Sequence, residues 1–136
     1  MILPDTSAWV EYLRRTETPI DIRLTELVSS GARLAVTHPV EMEILVGSRT
    51  EQELTANRSM LRSVDFLPFA AATDFDGAVR VYRACRRHGV TPRGMVDCMI
   101  AAVALRHDAV LLTADRDLAR IAEVMDLRLD PASVRP

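Results

Sequence analysis

Four acidic residues carry most of the chemical content of this 136-residue sequence: Asp5, Glu43, Asp97 and Asp115. Asp5 follows the apolar pair Ile2-Leu3 and precedes Thr6-Ser7, while Asp115 follows Leu111-Leu112-Thr113 and precedes Arg116-Asp117. Each stands where an apolar run stops and a helical pattern begins, so the ordinary role of each is a helix N-cap, worth about 1 kcal/mol. Asp97 lies inside Met95-Val96-Asp97-Cys98-Met99-Ile100-Ala101-Ala102. A carboxylate among apolar neighbours must sit in a first helical turn, find a partner, take up a proton or bind a cation. Glu43 belongs to Glu41-Met42-Glu43-Ile44-Leu45-Val46-Gly47. On a helix Glu41 and Glu43 point roughly 200° apart, so only one of them joins a given cluster; the alternation leaves open which. Singly, all four have bland readings as caps or solvated helix residues. Together they suggest a carboxylate cluster, whose members repel and raise one another's pKa values. A hard divalent cation resolves that conflict, and oxygen-only ligands favour Mg²⁺ or Mn²⁺ over zinc. Such ions serve phosphate chemistry, where they orient a water and neutralise a leaving oxygen.

The elements that must hold these residues are readable in outline. Ile2-Leu3 is a short strand that stops at Pro4, because proline lacks a ladder donor. Ala8 to Arg15 has Trp9, Tyr12 and Leu13 at helical spacing, and Thr18-Pro19 opens a second helix that Gly31 ends. Arg33 to Thr37 reads as a strand and Pro39 starts a helix closing near Gly47. Thr50 and Glu53 form a capping box for a helix to about Ser63. Asp65 to Phe69 is a short strand weakened by Pro68. Thr73 and Asp76 suggest a cap for a helix reaching Arg87 or His88. After the Gly89 to Gly94 loop come an apolar helix from Met95 to His107, a strand from Ala109 to Thr113, a helix from Asp115 to Met125 and a last strand at Leu127 to Leu129. Strands alternating with helices predict an α/β sandwich with a mainly parallel sheet, in which ligands bind beyond the carboxyl ends of the strands.

Composition sets the outer bounds. Hydrophobic residues make up 49% and charged residues 26%, with a net charge of −2, which is the balance of a single globular domain over residues 1–136 and not of a strongly basic nucleic-acid binder. All 17 basic residues are Arg, so a locally basic, phosphate-binding face stays open. Cys85 and Cys98 form no CxxC pair, which argues against a zinc site or a disulfide framework and suits a cytoplasmic location. No signal peptide and no membrane span are expected.

The sequence resembles the PIN-domain family and, within it, the VapC toxins of bacterial VapBC toxin–antitoxin modules. The resemblance rests on Met1 to Trp9, Glu43-Ile44-Leu45-Val46-Gly47, Asp97 to Ala102 and Leu112-Thr113-Ala114-Asp115-Arg116-Asp117-Leu118, in that order across almost the whole chain. It implies a PIN-like three-layer sandwich, a central mainly parallel sheet of about four or five strands with helices on both sides. It also implies a Mg²⁺- or Mn²⁺-dependent endoribonuclease, in which carboxylate-bound metal activates a water against an RNA phosphodiester. By motif, Asp5, Glu43, Asp97 and Asp115 are the catalytic and metal-binding acids. Thr6, Ser7 and Thr113 support them, with Asp117 as an outer helper and the choice between Asp115 and Asp117 open. Pro4, where the family usually has an aliphatic residue, departs from the pattern, and so does Ala114, where a polar or basic residue is common.

Positive charge for RNA is sought at Arg14, Arg15, Arg83, Arg86, Arg87, Arg93 and Arg116, with Arg93 and Arg116 favoured because they adjoin site acids. The resemblance further implies a small cognate antitoxin covering the acidic groove, and a homodimer. Trp9, Tyr12, Leu13 and Leu27 are candidates for either interface or for the core. Two other readings stand beside this one: a phosphatase or receiver-like domain with Asp5 as nucleophile, and a non-catalytic nucleic-acid or partner-binding module on the same fold. Neither the RNA nor the antitoxin is legible, and one metal or two is open.

Overall fold

Apolar triplets at the heart of the chain form four short parallel strands. They are β1 (Ile2–Pro4), β2 (Ala35–Thr37), β3 (Asp65–Leu67) and β4 (Val110–Leu112) in a computed structural model that describes residues 1–136. β1 pairs with β4 in register Leu3 to Leu111, and β2 pairs with β3 in register Val36 to Phe66. A single parallel bridge, Ile2 to Leu34, joins the two pairs, and another, Leu111 to Leu129, adds an edge beyond β4. The Leu127 to Leu129 strand is therefore one bridge rather than an element.

Pro4 remains in β1, opposite Leu112, contrary to the expectation that the strand stops before it. The backbone directions explain this. Met1 O and Asp5 N bond towards β4, whereas Ile2 N donates to Arg33 O on the β2 side. Alternate residues of a parallel strand bond to opposite neighbours, so Pro4 faces β2. Its missing N–H interrupts the β1–β2 ladder after the bridge at Ile2 and leaves the β4 ladder, which positions Asp5, intact.

Seven helices cover both sides of the sheet: α1 (Thr6–Arg14), α2 (Pro19–Ser29), α3 (His38–Val46), α4 (Glu51–Arg62), α5 (Ala71–Arg87), α6 (Met95–His107) and α7 (Arg116–Val124). Thr18 and Thr50 cap α2 and α4 by accepting from Asp21 N and Glu53 N, as their spacing predicts. The α5 cap departs from expectation. The helix starts at Ala71 with Ala70 as N-cap, and Thr73 and Asp76 lie inside it. Asp74 supplies the missing cap from within by accepting from Ala70 N at 2.7 Å.

A cluster of 27 buried hydrophobic residues fills the space between the layers, with Leu3, Val36, Leu111 and Leu112 from the strands and Ile100, Val103, Leu118 and Ile121 from α6 and α7. Trp9 and Leu27 belong to this core, being 1% and 6% exposed. They are therefore not interface residues, while Leu13 is exposed. Beyond α7 the chain returns along β4: Asp130 N donates to Leu111 O and Val134 N to Thr113 O. Arg23 of α2 grips the Asp130 carboxylate with three hydrogen bonds of 3.0–3.2 Å and so fixes this tail.

Candidate active site

β1 and β4 are adjacent and parallel, so the residues that follow them, Asp5 and Thr113 to Asp117, emerge side by side at the carboxyl edge of the sheet. Asp5 is the N-cap of α1, Asp115 is the N-cap of α7, and Asp97 lies in the first turn of α6. The cap reading thus holds for Asp5 and Asp115, and it is compatible with the functional one. Three helix N-termini bring carboxylates to the site, and their dipoles favour the negative charge gathered there.

Asp5 is 3% exposed. Its Oδ1 accepts from Ser7 Oγ at 2.6 Å and from Ala8 N at 2.9 Å, and its Oδ2 accepts from Thr113 Oγ1 at 2.8 Å. Burial pushes its pKa up from 3.8 to about 6 against the opposing pull of these hydrogen bonds, and the nearby Asp115 raises it further. Asp97 rises from 3.8 to about 7. Burial is the largest cause, followed by repulsion from Asp115, Asp5 and Glu43, and Arg93 partly offsets it. Asp97 therefore lies within electrostatic reach of Asp115, Asp5 and Glu43.

Tertiary packing decides the Glu41 or Glu43 alternative. Thr6 Oγ1 at the start of α1 donates to Glu43 Oε1 at 2.6 Å and holds that side chain at the site. Thr113 is fully buried and does double duty: its hydroxyl donates to Asp5 and accepts from Asp115 N at 2.9 Å. Ser7 Oγ donates to Asp5 and accepts from Ala114 N at 2.9 Å, which ties the β1 and β4 ends together. The supporting roles expected of Thr6, Ser7 and Thr113 thus correspond to specific hydrogen bonds.

Arg93 reaches back from the loop before α6. Its Nη2 lies 2.9 Å from both oxygens of Asp115, and its Nε contacts Asp117. Asp117 is held on its other side by Arg120 at 3.0 Å. Arg93 is therefore an internal counter-charge, whereas Arg116 is exposed and makes no ion pair. Ser133 was not visible as a site residue in the sequence. Its hydroxyl accepts from Thr113 N at 3.1 Å and lies 3.3 Å from Leu111 O, bracing β4 where Thr113 begins. Only the return of the tail along β4 brings it there, and no local motif marks it.

No three His, Cys, Asp or Glu side chains stand in a ready-made metal-ligating group. The donor set nevertheless fits a hard divalent cation. It is made of oxygens alone, it is partly buried, and burial with added repulsion from neighbouring acids raises Asp5 and Asp97 well above the usual carboxylate range. Arg93 already neutralises one of the four acids by pairing with Asp115.

Comparison with known proteins fits this geometry. The PIN domain profile matches residues 2–124. The chain belongs to the PIN-domain family. Within that family it is 40% identical over 129 residues to a VapC ribonuclease of Mycobacterium bovis and to ribonuclease VapC11 of Mycobacterium tuberculosis, covering 94% of this chain and 96% of each relative. The VapBC-1 structure from nontypeable Haemophilus influenzae superposes with a TM-score of 0.74 at 23% identity, covering 97% of this chain and 98% of that one. The FitAcB structure from Neisseria gonorrhoeae gives a TM-score of 0.74 at 19% identity with the same coverage. The PIN match ends at residue 124, so Ser133 lies beyond it.

Proposed function

We infer that this PIN domain is the endoribonuclease toxin of a VapBC-type toxin–antitoxin pair. The observation that carries the reading is the convergence of Asp5, Glu43, Asp97 and Asp115, with Asp5 and Asp97 raised in pKa by burial and by neighbouring acids and the set braced by Thr6, Ser7 and Thr113. The 40% identity to VapC ribonucleases along nearly the full chain supports it.

Asp5, Asp97, Glu43 and Asp115 are the residues that would hold Mg²⁺ or Mn²⁺. Bound there, the ion supplies positive charge for a developing phosphorane and lowers the pKa of a water. The chain's own residues set the stage. Thr113 and Ser7 fix both oxygens of Asp5, so the buried carboxylate cannot rotate. Thr6 fixes Glu43. Asp97, raised in pKa by burial and the neighbouring acids when no cation is present, would be brought to its ionised form by one. Arg116, exposed and without an ion pair beside Asp115, is placed to receive an RNA phosphate. Arg93, exposed and paired with Asp115, would also offer its guanidinium to an RNA phosphate.

An antitoxin whose tail carries positive charge would cover the same groove, and exposed Leu13 with Arg14 beside Glu43 lines an adjoining depression of about 310 Å³ suited to that contact. A homodimer and a cytoplasmic location complete the proposal. Cys85 and Cys98 are both buried free thiols, as a reducing compartment allows. No helix is long and apolar enough to cross a membrane. The phosphatase reading is disfavoured because no second Asp follows Asp5 at a two-residue spacing and the sequence has no Lys to bind phosphate.

The test is RNA cleavage by the purified chain with Mg²⁺, Mn²⁺ or EDTA, beside Asp5→Asn. Metal-dependent cleavage that disappears in the variant is expected. Mn²⁺ binding by calorimetry without cleavage of any RNA would favour the non-catalytic module instead.

A further inference from the structure

A cavity of about 590 Å³ lies away from the acids. It lies between α5, α6 and the end of α7, with Ala84, Ala102, Leu105 and Met125 among its apolar lining and Arg80, Arg83, Arg87 and Arg106 around them. Arg106 is neutralised by the buried Asp74 through bonds of 2.8 and 2.9 Å. The other three arginines are exposed and have no carboxylate partner. They recur at i, i+3 and i+7, which places them on one face of α5. From Gly77 to Arg93 the sequence holds five Arg and no Asp or Glu, in a chain whose net charge is −2.

The carboxyl-terminal end of this face lies beside the start of α6, which carries Asp97. Asp74 pairs with Arg106, and a Cβ on Gly77 would lie 3.1 Å from Ala102 Cβ, so α5 and α6 run antiparallel. The end of α5 bearing Arg83 and Arg87 therefore lies beside the end of α6 bearing Asp97. Arg86 bonds Thr91 in the connecting loop, and that loop delivers Arg93 to Asp115. Arg80, Arg83 and Arg87 thus span about 10 Å of α5, with Arg87 at the end nearer Asp97. Guanidinium groups around a concavity converge on a ligand, and unpaired Arg is suited to bidentate phosphate contacts.

We propose that single-stranded RNA leaving the acidic centre binds along α5, with backbone phosphates held by Arg80, Arg83 and Arg87 over this cavity. The inference rests on the ribonuclease reading and gives that site a second, remote part of its RNA footprint.

The test uses the full chain, a fluorescently labelled RNA of about twenty nucleotides and EDTA to prevent turnover, with anisotropy measured across a salt series. For single strands each phosphate contact contributes about 0.7 to the slope of log K against log salt. The variant R80A/R83A/R87A is expected to bind more weakly, with a slope shallower by about 2. With metal restored, it should still cleave a tetranucleotide that reaches only the acids at the wild-type rate and lose rate on the long RNA. Circular dichroism confirms folding, and exposed Arg→Ala changes spare the Asp74–Arg106 pair. Wild-type affinity and slope in the folded variant overturn the proposal. A changed oligomeric state with an unchanged slope also overturns it, by making this face a contact between copies. Wild-type protein that neither binds nor cleaves RNA refutes the ribonuclease reading itself, and the inference falls with it.

Discussion

Asp97→Asn should make the metal-free protein more stable while abolishing its activity. Asp97 has its pKa raised from 3.8 to about 7 by burial and by Asp115, Asp5 and Glu43. The folded state therefore favours the protonated form. The associated stability is fully present below the unfolded pKa and is lost as pH rises from about 4 through about 7. At about pH 8 the wild type bears the whole cost of an ionised Asp97. The full shift corresponds to roughly 4 kcal/mol. Asp97 is only half-buried, so solvent screening reduces this to about 1–2 kcal/mol. Asn is nearly isosteric and never ionises. In a domain of this size the gain is a Tm higher by about 3–8 °C. Thermal melts in EDTA at about pH 8 and about pH 4 measure it, with the difference present at the higher pH and absent at the lower. Millimolar Mn²⁺ should then raise the wild-type Tm and leave the variant's nearly unchanged, because a cation stabilises only the state that binds it. No stabilisation at the higher pH, or an equal gain at both, would refute the argument that clustered charge at this site is held against repulsion.

The remaining predictions concern the groups that hold the acids. Thr113→Val removes the O–H donor to Asp5 and the acceptor for Asp115 N, so it should cost about 1–3 kcal/mol in denaturant melts and reduce cleavage. Ser133→Ala removes the acceptor for Thr113 N; a loss of about 1 kcal/mol is expected, with a smaller fall in activity because no acid is touched directly. Arg93→Ala removes the guanidinium from Asp115 and leaves only the cap bond from Asp117 N on Oδ1, so calorimetry should show tighter Mn²⁺ binding together with weaker RNA binding. Leu111→Ala opens the core directly behind β4 and should cost about 2–5 kcal/mol with metal affinity lowered in proportion.

The alternation of apolar triplets and helical patterns determined the element order, and residue types determined the chemistry. Asp5 and Asp115 stand at apolar-to-helical boundaries, and Asp97 stands in an apolar helix, because local propensity and burial leave a carboxylate few other places. Thr18 and Thr50 act as caps within four residues of their partners, so sequence alone located them. The Thr73 and Asp76 cap failed because Asp74 is drawn to Arg106, 32 residues away, and a long-range ion pair outweighs a local preference. Whether Glu41 or Glu43 faces the site depended on Thr6, 37 residues distant. Pro4 kept its place in β1 because the neighbour it faces, β2, does not need its N–H, and which neighbour that is belongs to sheet order. The burial of Trp9, the pairing of Arg93 with Asp115 and the bracing of Thr113 by Ser133 were likewise tertiary decisions. Sequence determines which groups are able to act, because ionisation and hydrogen bonding are properties of residue types. Their distances, burial and raised pKa values arise only when segments far apart in the chain exclude water from the same space.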